Sequence, residues 1–216
     1  IQFDVPLPVN RFPGMRNVFV CGAALLALSL ASPLRAQEAL PAAVELPPPA
    51  DARPATPRER LDKLFTDLKR ERNERAATRI ASRITDLWSQ SGSASIDLMM
   101  GWSKEAMDKK KFDVALDFLD QVVTMDPDYA EGWNRRATAH FMMNNYAKSM
   151  ADINRTLALE PRHFGAIAGM AQILKATNHK DAALQAWHRV LDIYPMMRGA
   201  QTEVATLSEE LVGEGI

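Results

Sequence analysis

Apolar residues recur every three or four positions from about residue 60 to the C-terminal end, the spacing that gathers side chains on one face of an α-helix. The segment NERAATRIASRITDLWSQSG shows this pattern well, with apolar positions at Ala77, Ile80, Ala81, Ile84, Leu87 and Trp88. Asn73 can cap the start of this helix and Gly92 can end it. A shorter stripe from Leu61 to Leu68 predicts another helix before it. Strand-like alternation is hard to find, so the pattern predicts an all-α protein.

Prolines interrupt the helical pattern at a constant interval. Pro127, Pro161 and Pro195 follow one another at 34 residues. Proline has no amide hydrogen to donate and disfavours helical backbone in the residue before it, so each proline should end one helix before the next begins. The interval predicts three successive helical hairpins.

Small and large residues recur with the same period. The small ones lie where the two helices of one hairpin must cross closely: Ser103, Ala137 and Ala171 at the eighth position, and Ala115, Ser149 and Ala183 at the twentieth. The large apolar ones occupy the fourth and twenty-fourth positions: Met99, Trp133, Ile167, Leu119, Ile153 and Trp187. Each predicted hairpin therefore has the same internal packing plan.

The period and these positions resemble the tetratricopeptide repeat (TPR) family. The resemblance implies a right-handed α-solenoid of TPR helical hairpins with a degenerate N-terminal hairpin and a C-terminal capping helix. The implied TPR domain, residues 59–214, consists of a degenerate hairpin over 60–91, repeats over 96–129, 130–163 and 164–197, and a capping helix over 198–213. The departures from the family pattern are Lys110, Asn144 and Asn178 in place of a turn glycine, Met99 in place of an aromatic residue, and Arg136 in place of leucine.

Residues 15–36 have the layout of a secretory signal peptide. Arg16 supplies a positive charge, an apolar run extends from Val18 to Ala31, and small residues lead to Ala36. The run is shorter than the roughly 20 residues that a membrane span needs, so we expect cleavage near Ala36 and no stable membrane span afterwards. These features predict export to a bacterial periplasm. The alternative is that the run forms a short buried core helix.

The remaining N-terminal features agree with export. Residues 1–14 precede a better start at Met15 and are expected to be upstream sequence from a mis-called start. Cys21 is the one cysteine of the chain, and cleavage would leave a mature protein without a thiol, which suits an oxidising compartment. Residues 37–58 are rich in proline and alanine and predict a disordered spacer, with a proline-rich ligand for another protein as the alternative.

Charge and motifs argue against several functions. The chain has 26 basic and 27 acidic residues and a formal net charge of -1, which gives no sign of a nucleic-acid-binding surface. Its histidines, His140, His163, His179 and His188, lack the spacing that places two metal ligands on one helix face. Glycine-rich phosphate loops and a G-x-S-x-G motif are absent from the sequence. We therefore predict no catalytic residues, no metal and no cofactor, and expect the protein not to be an enzyme.

The TPR resemblance implies a peptide-binding groove on the first helix of each hairpin. Its second, fifth, ninth and twelfth positions should face that groove, and the candidates are Met100, Lys104, Met107, Asn134, Thr138, Phe141, Gln172 and Lys175. Arg135 is a further candidate for ligand contact. Flexible apolar side chains and amides could hold an extended peptide, although the set does not match the basic clamp that some family members use for C-terminal carboxylates. Alternatively, Met107 and Phe141 pack between helices.

Arg136 is predicted to have a different role from its neighbour. Its position should face the preceding hairpin, with the guanidinium reaching an acid such as Asp126 or Asp128.

Two functions remain open. The first is a cell-envelope adaptor or scaffold that binds an unknown protein or peptide in its concave groove. The second is a permanent structural subunit of an envelope assembly, or a TPR accessory domain of an enzyme complex. A groove accessible in solution would favour the first, and oligomerisation through the methionine-rich first repeat would favour the second.

Overall fold

The computed structural model describes residues 54–214, which form nine α-helices and no strand. The helices are α1 (Pro57–Arg70), α2 (Glu74–Trp88), α3 (Ala94–Asp108), α4 (Phe112–Met125), α5 (Ala130–Met142), α6 (Tyr146–Leu159), α7 (Phe164–Ala176), α8 (Lys180–Ile193) and α9 (Arg198–Glu214). The predicted signal peptide, and the predicted spacer up to residue 53, lie outside the described residues. Within the described range, no helix is both long enough and apolar enough to cross a membrane.

Helices α3 to α8 form the three predicted hairpins, α3–α4, α5–α6 and α7–α8, which we call the first, second and third repeats. The small residues at the predicted crossings are all buried: Ser103, Ala115, Ala137, Ser149, Ala171 and Ala183. Ser149 also donates a hydrogen bond from Oγ to the carbonyl oxygen of Ala137 across 2.7 Å. The predicted all-α fold of stacked TPR hairpins is confirmed.

The turn within each repeat places one residue in the left-handed region of backbone conformation. These residues are Lys110, Asn144 and Asn178, with φ of 57°, 58° and 60°. In each turn the amide of the following residue donates a hydrogen bond of 2.8 Å to a carbonyl oxygen near the end of the first helix. Lys111, for example, donates to Ala106. This arrangement ends a helix and usually favours glycine, which explains the family preference from which the sequence departs.

The prolines that separate the repeats serve a second purpose through their carbonyl oxygens. Arg155 donates to Pro127 and Arg189 donates to Pro161, both at 3.0 Å, and Gln201 donates to Pro195 at 2.7 Å. Each inter-repeat connection is therefore anchored by a side chain from a later helix.

The α1–α2 hairpin packs against the third repeat. Its buried residues share a core with α7, α8 and α9, whereas α3 and α4 belong to a separate core. The Trp88 ring stacks on His163 with 4.0 Å between centroids, and Arg162 lies over Phe65 at 4.2 Å. Arg162 also donates to Asp62 at 2.7 Å. The apolar stripes of the sequence predicted both helices. The structure shows that these stripes pack against the third repeat and α9.

Helix α9 closes the α8 end of the repeats, the same end that the α1–α2 hairpin contacts. Ala200 and Leu207 are fully buried against the α8 side. Lys175 and Lys180 reach from the third repeat to Glu203 and Glu210 of α9, at 2.7 and 3.0 Å. The helix has the position expected of a capping helix.

Candidate functional site

A groove of about 160 Å³ lies between α5 and α7, the first helices of the second and third repeats. The structure brings together four of the predicted ligand-binding residues along it: Asn134, Thr138, Phe141 and Gln172. These residues share a groove because the 34-residue period turns equivalent positions of successive first helices to the same side.

The α7 side of the groove is built from residues with little or no side chain. Gly165, Ala166, Ala168 and Gly169 all line it. A Cβ built on Gly169 would lie 3.5 Å from Cδ1 of Ile153, an ordinary van der Waals contact. The helix would therefore accept a side chain there, and the glycine keeps the groove open.

The polar groups of the groove are neutral and only partly used. Asn134 donates from Nδ2 to Glu131 at 3.0 Å, and its carboxamide oxygen makes no hydrogen bond to the described residues. Thr138 donates from Oγ1 to the Asn134 carbonyl at 3.0 Å, so its oxygen can still accept. Among the described residues that line the groove, none is charged. The groove therefore offers hydrogen-bonding groups suited to a peptide main chain.

Asn134 is held in place by the buried carboxylate of Glu131, which is 6% exposed. Arg135 donates to Glu131 at 3.2 Å, and Nε2 of His163 lies 3.2 Å from it. Because Nδ1 of His163 accepts from the amide of Ala166 at 3.1 Å, Nε2 carries the hydrogen that is donated to Glu131. The same imidazole ring stacks on Trp88 of α2. One carboxylate therefore joins the groove to the α1–α2 hairpin.

The pKa of Glu131 reflects two opposing influences. Burial disfavours the charged carboxylate, but the hydrogen bond from His163 and the positive charge on Arg135 outweigh it, so the pKa of Glu131 lies below its ordinary value. Sequence reasoning did not single out Glu131 or His163. Glu131 occupies the second position of its repeat, which the TPR resemblance assigns to the groove, so the sequence did offer a signal for it. His163 occupies none of the positions that the resemblance assigns to the groove.

Two predicted ligand residues instead connect the first and second repeats. Met100 is 4% exposed and packs in the core of α3 and α4. Arg135 donates to the Met100 carbonyl oxygen and to Glu131, both at 3.2 Å, and only 21% of its side chain is exposed. The expectation that these side chains face the groove is corrected, because the inter-repeat contact occupies both.

The predicted lysines lie outside this groove. Lys104 is exposed and pairs with Asp108 at 2.6 Å, and Lys175 pairs with Glu203 at 2.7 Å. Met107 is partly buried against the core of the first repeat, while Phe141 both lines the groove and packs near Tyr146, with 5.8 Å between ring centroids. The packing alternative therefore holds for Met107, and Phe141 has both roles.

Arg136 is structural, but its predicted partners, Asp126 and Asp128, are wrong. Its guanidinium binds Asp152 through two hydrogen bonds of 2.8 and 2.7 Å and Asp120 through one of 2.9 Å. The Asp152 carboxylate raises the pKa of Arg136 further above its already high ordinary value. Arg136 therefore joins α5 to two other helices: α6 of its own repeat through Asp152, and α4 of the preceding repeat through Asp120.

The part of the chain that the structure describes contains no group of three or more His, Cys, Asp or Glu side chains that could hold a metal ion.

Successive helical hairpins with small residues at each crossing, a groove along their first helices and a closing helix define an α-helical repeat protein of the TPR type. No protein-family model matches the sequence. A TPR repeat-containing protein of Rhizobium etli is 52% identical over 159 residues, which cover 74% of this chain and 78% of the relative. The chain belongs to the TPR family.

More distant similarities agree with this assignment. The small glutamine-rich tetratricopeptide repeat-containing protein 2 of Saccharomyces cerevisiae is 27% identical over 97 residues, 45% of this chain and 28% of that protein. The first TPR domain of Spaghetti (RPAP3), bound to the HSP90 peptide SRMEEVD, superposes with a TM-score of 0.53 at 22% identity, covering 56% of this chain and 95% of that one. At this identity the superposition shows a shared fold.

The same fold also occurs within a larger enzyme. A Thermobaculum terrenum O-GlcNAc transferase mutant has a TM-score of 0.50 at 18% identity, and the match covers 53% of this chain and 22% of the transferase. A TPR fold is therefore compatible with a non-catalytic protein and with a segment of an enzyme.

Proposed function

We propose that this protein is a non-catalytic TPR adaptor of the cell envelope that binds an extended segment of another protein in the groove between α5 and α7. The observation that carries the proposal is the pairing of uncharged amide and hydroxyl groups with a wall of glycine and alanine. Such a surface lets a peptide backbone approach closely and satisfies its amide and carbonyl groups.

The chemistry of the groove favours a particular kind of segment. The described lining residues carry no charge, and Lys104 and Lys175 already have carboxylate partners elsewhere. A free C-terminal carboxylate would therefore gain little here. The groove suits an internal, extended segment that presents small or apolar side chains to Phe141.

Known complexes of the fold support a peptide ligand in general terms. One is the Spaghetti domain with its HSP90 peptide, and another is the TPR2B domain of yeast Sti1 in a pHsp70 complex, with a TM-score of 0.51 at 18% identity over 55% of this chain and 99% of that one. The location in the envelope rests on the signal-peptide pattern of residues 15–36.

The test is to isolate the partner from an envelope extract with the mature chain and to measure its affinity for groove variants by calorimetry. Replacing Asn134 and Gln172 together with alanine should weaken binding by about 1–3 kcal/mol through lost hydrogen bonds. Gln121→Ala is the matched control, because Gln121 is an exposed amide on α4 outside the groove.

A second pair of variants tests the shape of the groove. Gly169→Leu should fill it and weaken binding at least about tenfold. Gly101→Leu makes the same change at the equivalent position of the first repeat, where a Cβ has no neighbour within 4 Å, and should leave affinity unchanged. Wild-type affinity in Gly169→Leu and in the double alanine variant, with unchanged melting temperatures, would place the binding surface elsewhere.

The second candidate, a permanent structural subunit, is favoured by the exposed apolar side chains of α3 and α4. Co-purification with envelope partners that survives about 1 M salt would support it, because apolar contacts are not screened by salt.

A further inference from the structure

One face of the first repeat is apolar and uncovered in the described structure. Leu98 and Trp102 of α3 are 52% and 45% exposed, and Val114 of α4 is 42% exposed. The Trp102 ring packs beside Phe118, with 5.4 Å between centroids, and these side chains border a depression of about 340 Å³. We call the face formed by Leu98, Trp102, Val114 and Phe118 the open face.

The equivalent positions of the second repeat contact the preceding hairpin. A Cβ built on Gly132, the equivalent of Leu98, would lie 2.8 Å from a valine side chain of α4. Arg136, the equivalent of Trp102, donates to an aspartate of α4 at 2.9 Å. The positions of Leu98 and Trp102 therefore stack a repeat on the hairpin before it, and in the first repeat they have no such hairpin against them among residues 54–214.

The chain's own N-terminal hairpin does not cover the open face. Its buried side chains share a core with α7, α8 and α9. The other end of the repeats is closed by α9. A repeat array needs a covered or polar surface at both ends, so the open face calls for a partner.

The charges around the open face select the kind of partner. Of the charged residues that border the depression, Glu105 and Lys109 pair with each other at 2.5 Å, which leaves Lys111. Asp113 and Asp117 are exposed on the same helix, α4. A two-fold axis sets each residue of a patch against a different residue of its copy, so a border that carries both signs can complement itself. An anionic membrane or a nucleic acid would instead require a border of one sign.

We propose that the open face binds the open face of a second copy, which makes the protein a two-fold symmetric dimer with Trp102 at the centre of the interface. The buried aromatic and aliphatic side chains supply the binding free energy, and the mixed charges at the border fix the orientation. The groove between α5 and α7 belongs to other helices and stays free in the dimer, so this inference does not depend on the proposed function.

Sedimentation equilibrium of the native chain tests the dimer. We expect a mass twice that of one chain, and Trp102→Glu and Leu98→Glu should each raise the dimer Kd on the order of 30-fold or more. Met142→Glu is the matched control, because Met142 is 51% exposed on α5, and this variant should dimerise as the wild type does. Circular dichroism melting establishes that each variant is folded.

Two results would overturn the proposal. The first is a wild-type mass of one chain at about 100 μM, where a dimer with a micromolar Kd would be nearly complete. That outcome includes the case in which another segment of the chain or another protein covers the open face. The second is a folded Trp102→Glu variant that dimerises as tightly as the wild type.

Discussion

Lys110 occupies a backbone conformation that suits glycine better than lysine. Its φ of 57° lies in the left-handed region, where an L-residue brings its Cβ close to a carbonyl oxygen at a cost of roughly 1–2 kcal/mol. Asparagine, found at the equivalent turns in the second and third repeats, tolerates this region better because its short polar side chain can hydrogen-bond locally.

Replacing Lys110 with glycine should stabilise the protein. We expect a gain of about 0.5–1 kcal/mol, since relief of the turn is partly offset by the greater freedom of glycine in the unfolded chain. Asn144→Gly should gain less. Urea unfolding at an unchanged m-value measures both, and a loss of stability in Lys110→Gly would contradict the left-handed turn.

Glu131 should make stability depend on acid. Its folded-state pKa is below the ordinary glutamate value of about 4.3, so the unfolded chain binds its proton more readily than the folded one. The stabilisation from Glu131 is therefore complete when the pH is above the ordinary, unfolded-state pKa, and it is lost as the pH falls through the folded-state pKa.

The check is the free energy of unfolding measured between about pH 2.5 and pH 6. Glu131→Gln should be less stable than the wild type at the upper end and should lose less stability on acidification. Glu209→Gln, an exposed change on α9, serves as the control. Parallel pH profiles for the wild type and Glu131→Gln would show that the buried carboxylate is not stabilised by His163 and Arg135.

At the scale of helices, the crossing of α5 and α6 determines the repeat packing. Ala137 is 2% exposed and its carbonyl oxygen accepts the hydrogen bond from Ser149. Ala137→Leu should force the two helices apart and cost about 1–3 kcal/mol. Lys148→Ala, on the exposed side of α6, should change stability by less than about 0.5 kcal/mol. Equal melting shifts for the two variants would contradict the repeat register.

The helices and their pairing followed from the sequence because they depend on local rules. Proline cannot lie in a helix beyond its first turn without disrupting it, and a residue at a close crossing must be small in every repeat. The roles of Pro127 and Ala137 could therefore be inferred from the sequence alone. Four of the eight residues predicted to face the groove line it for the same reason, since a constant period turns Asn134 and Gln172 to one side.

Long-range partners could not be predicted in this way. The apolar stripe that ends at Trp88 shows that one side of α2 is buried, but it does not show that the buried surface includes His163, 75 residues later along the chain. Likewise, the position of Arg136 indicated a structural role without distinguishing Asp152 from Asp126. Contacts of this kind depend on how the helices are arranged in three dimensions.

At the scale of the whole molecule, export remains a prediction, since residues 15–36 lie outside the described part of the chain. The apolar run and the small residues before Ala36 predict a mature N-terminus at Gln37. Mass spectrometry of the protein from a periplasmic fraction measures this directly. An intact Met15 on a cytoplasmic protein would contradict both the cleavage and the envelope location.

The contact between the α1–α2 hairpin and the third repeat also bears on how the protein unfolds. A simple repeat array is held by neighbouring contacts alone, so its terminal units can fray one at a time. Here Glu74 binds Arg198 and Thr78 hydrogen-bonds Tyr194, which joins residues 124 and 116 positions apart. The part of the chain from α1 to α9 is thereby closed into a ring, and the α7–α8 hairpin cannot fray without also releasing the α1–α2 hairpin. We expect such a ring to fold slowly, since a long loop must close first, and to unfold as a single cooperative unit.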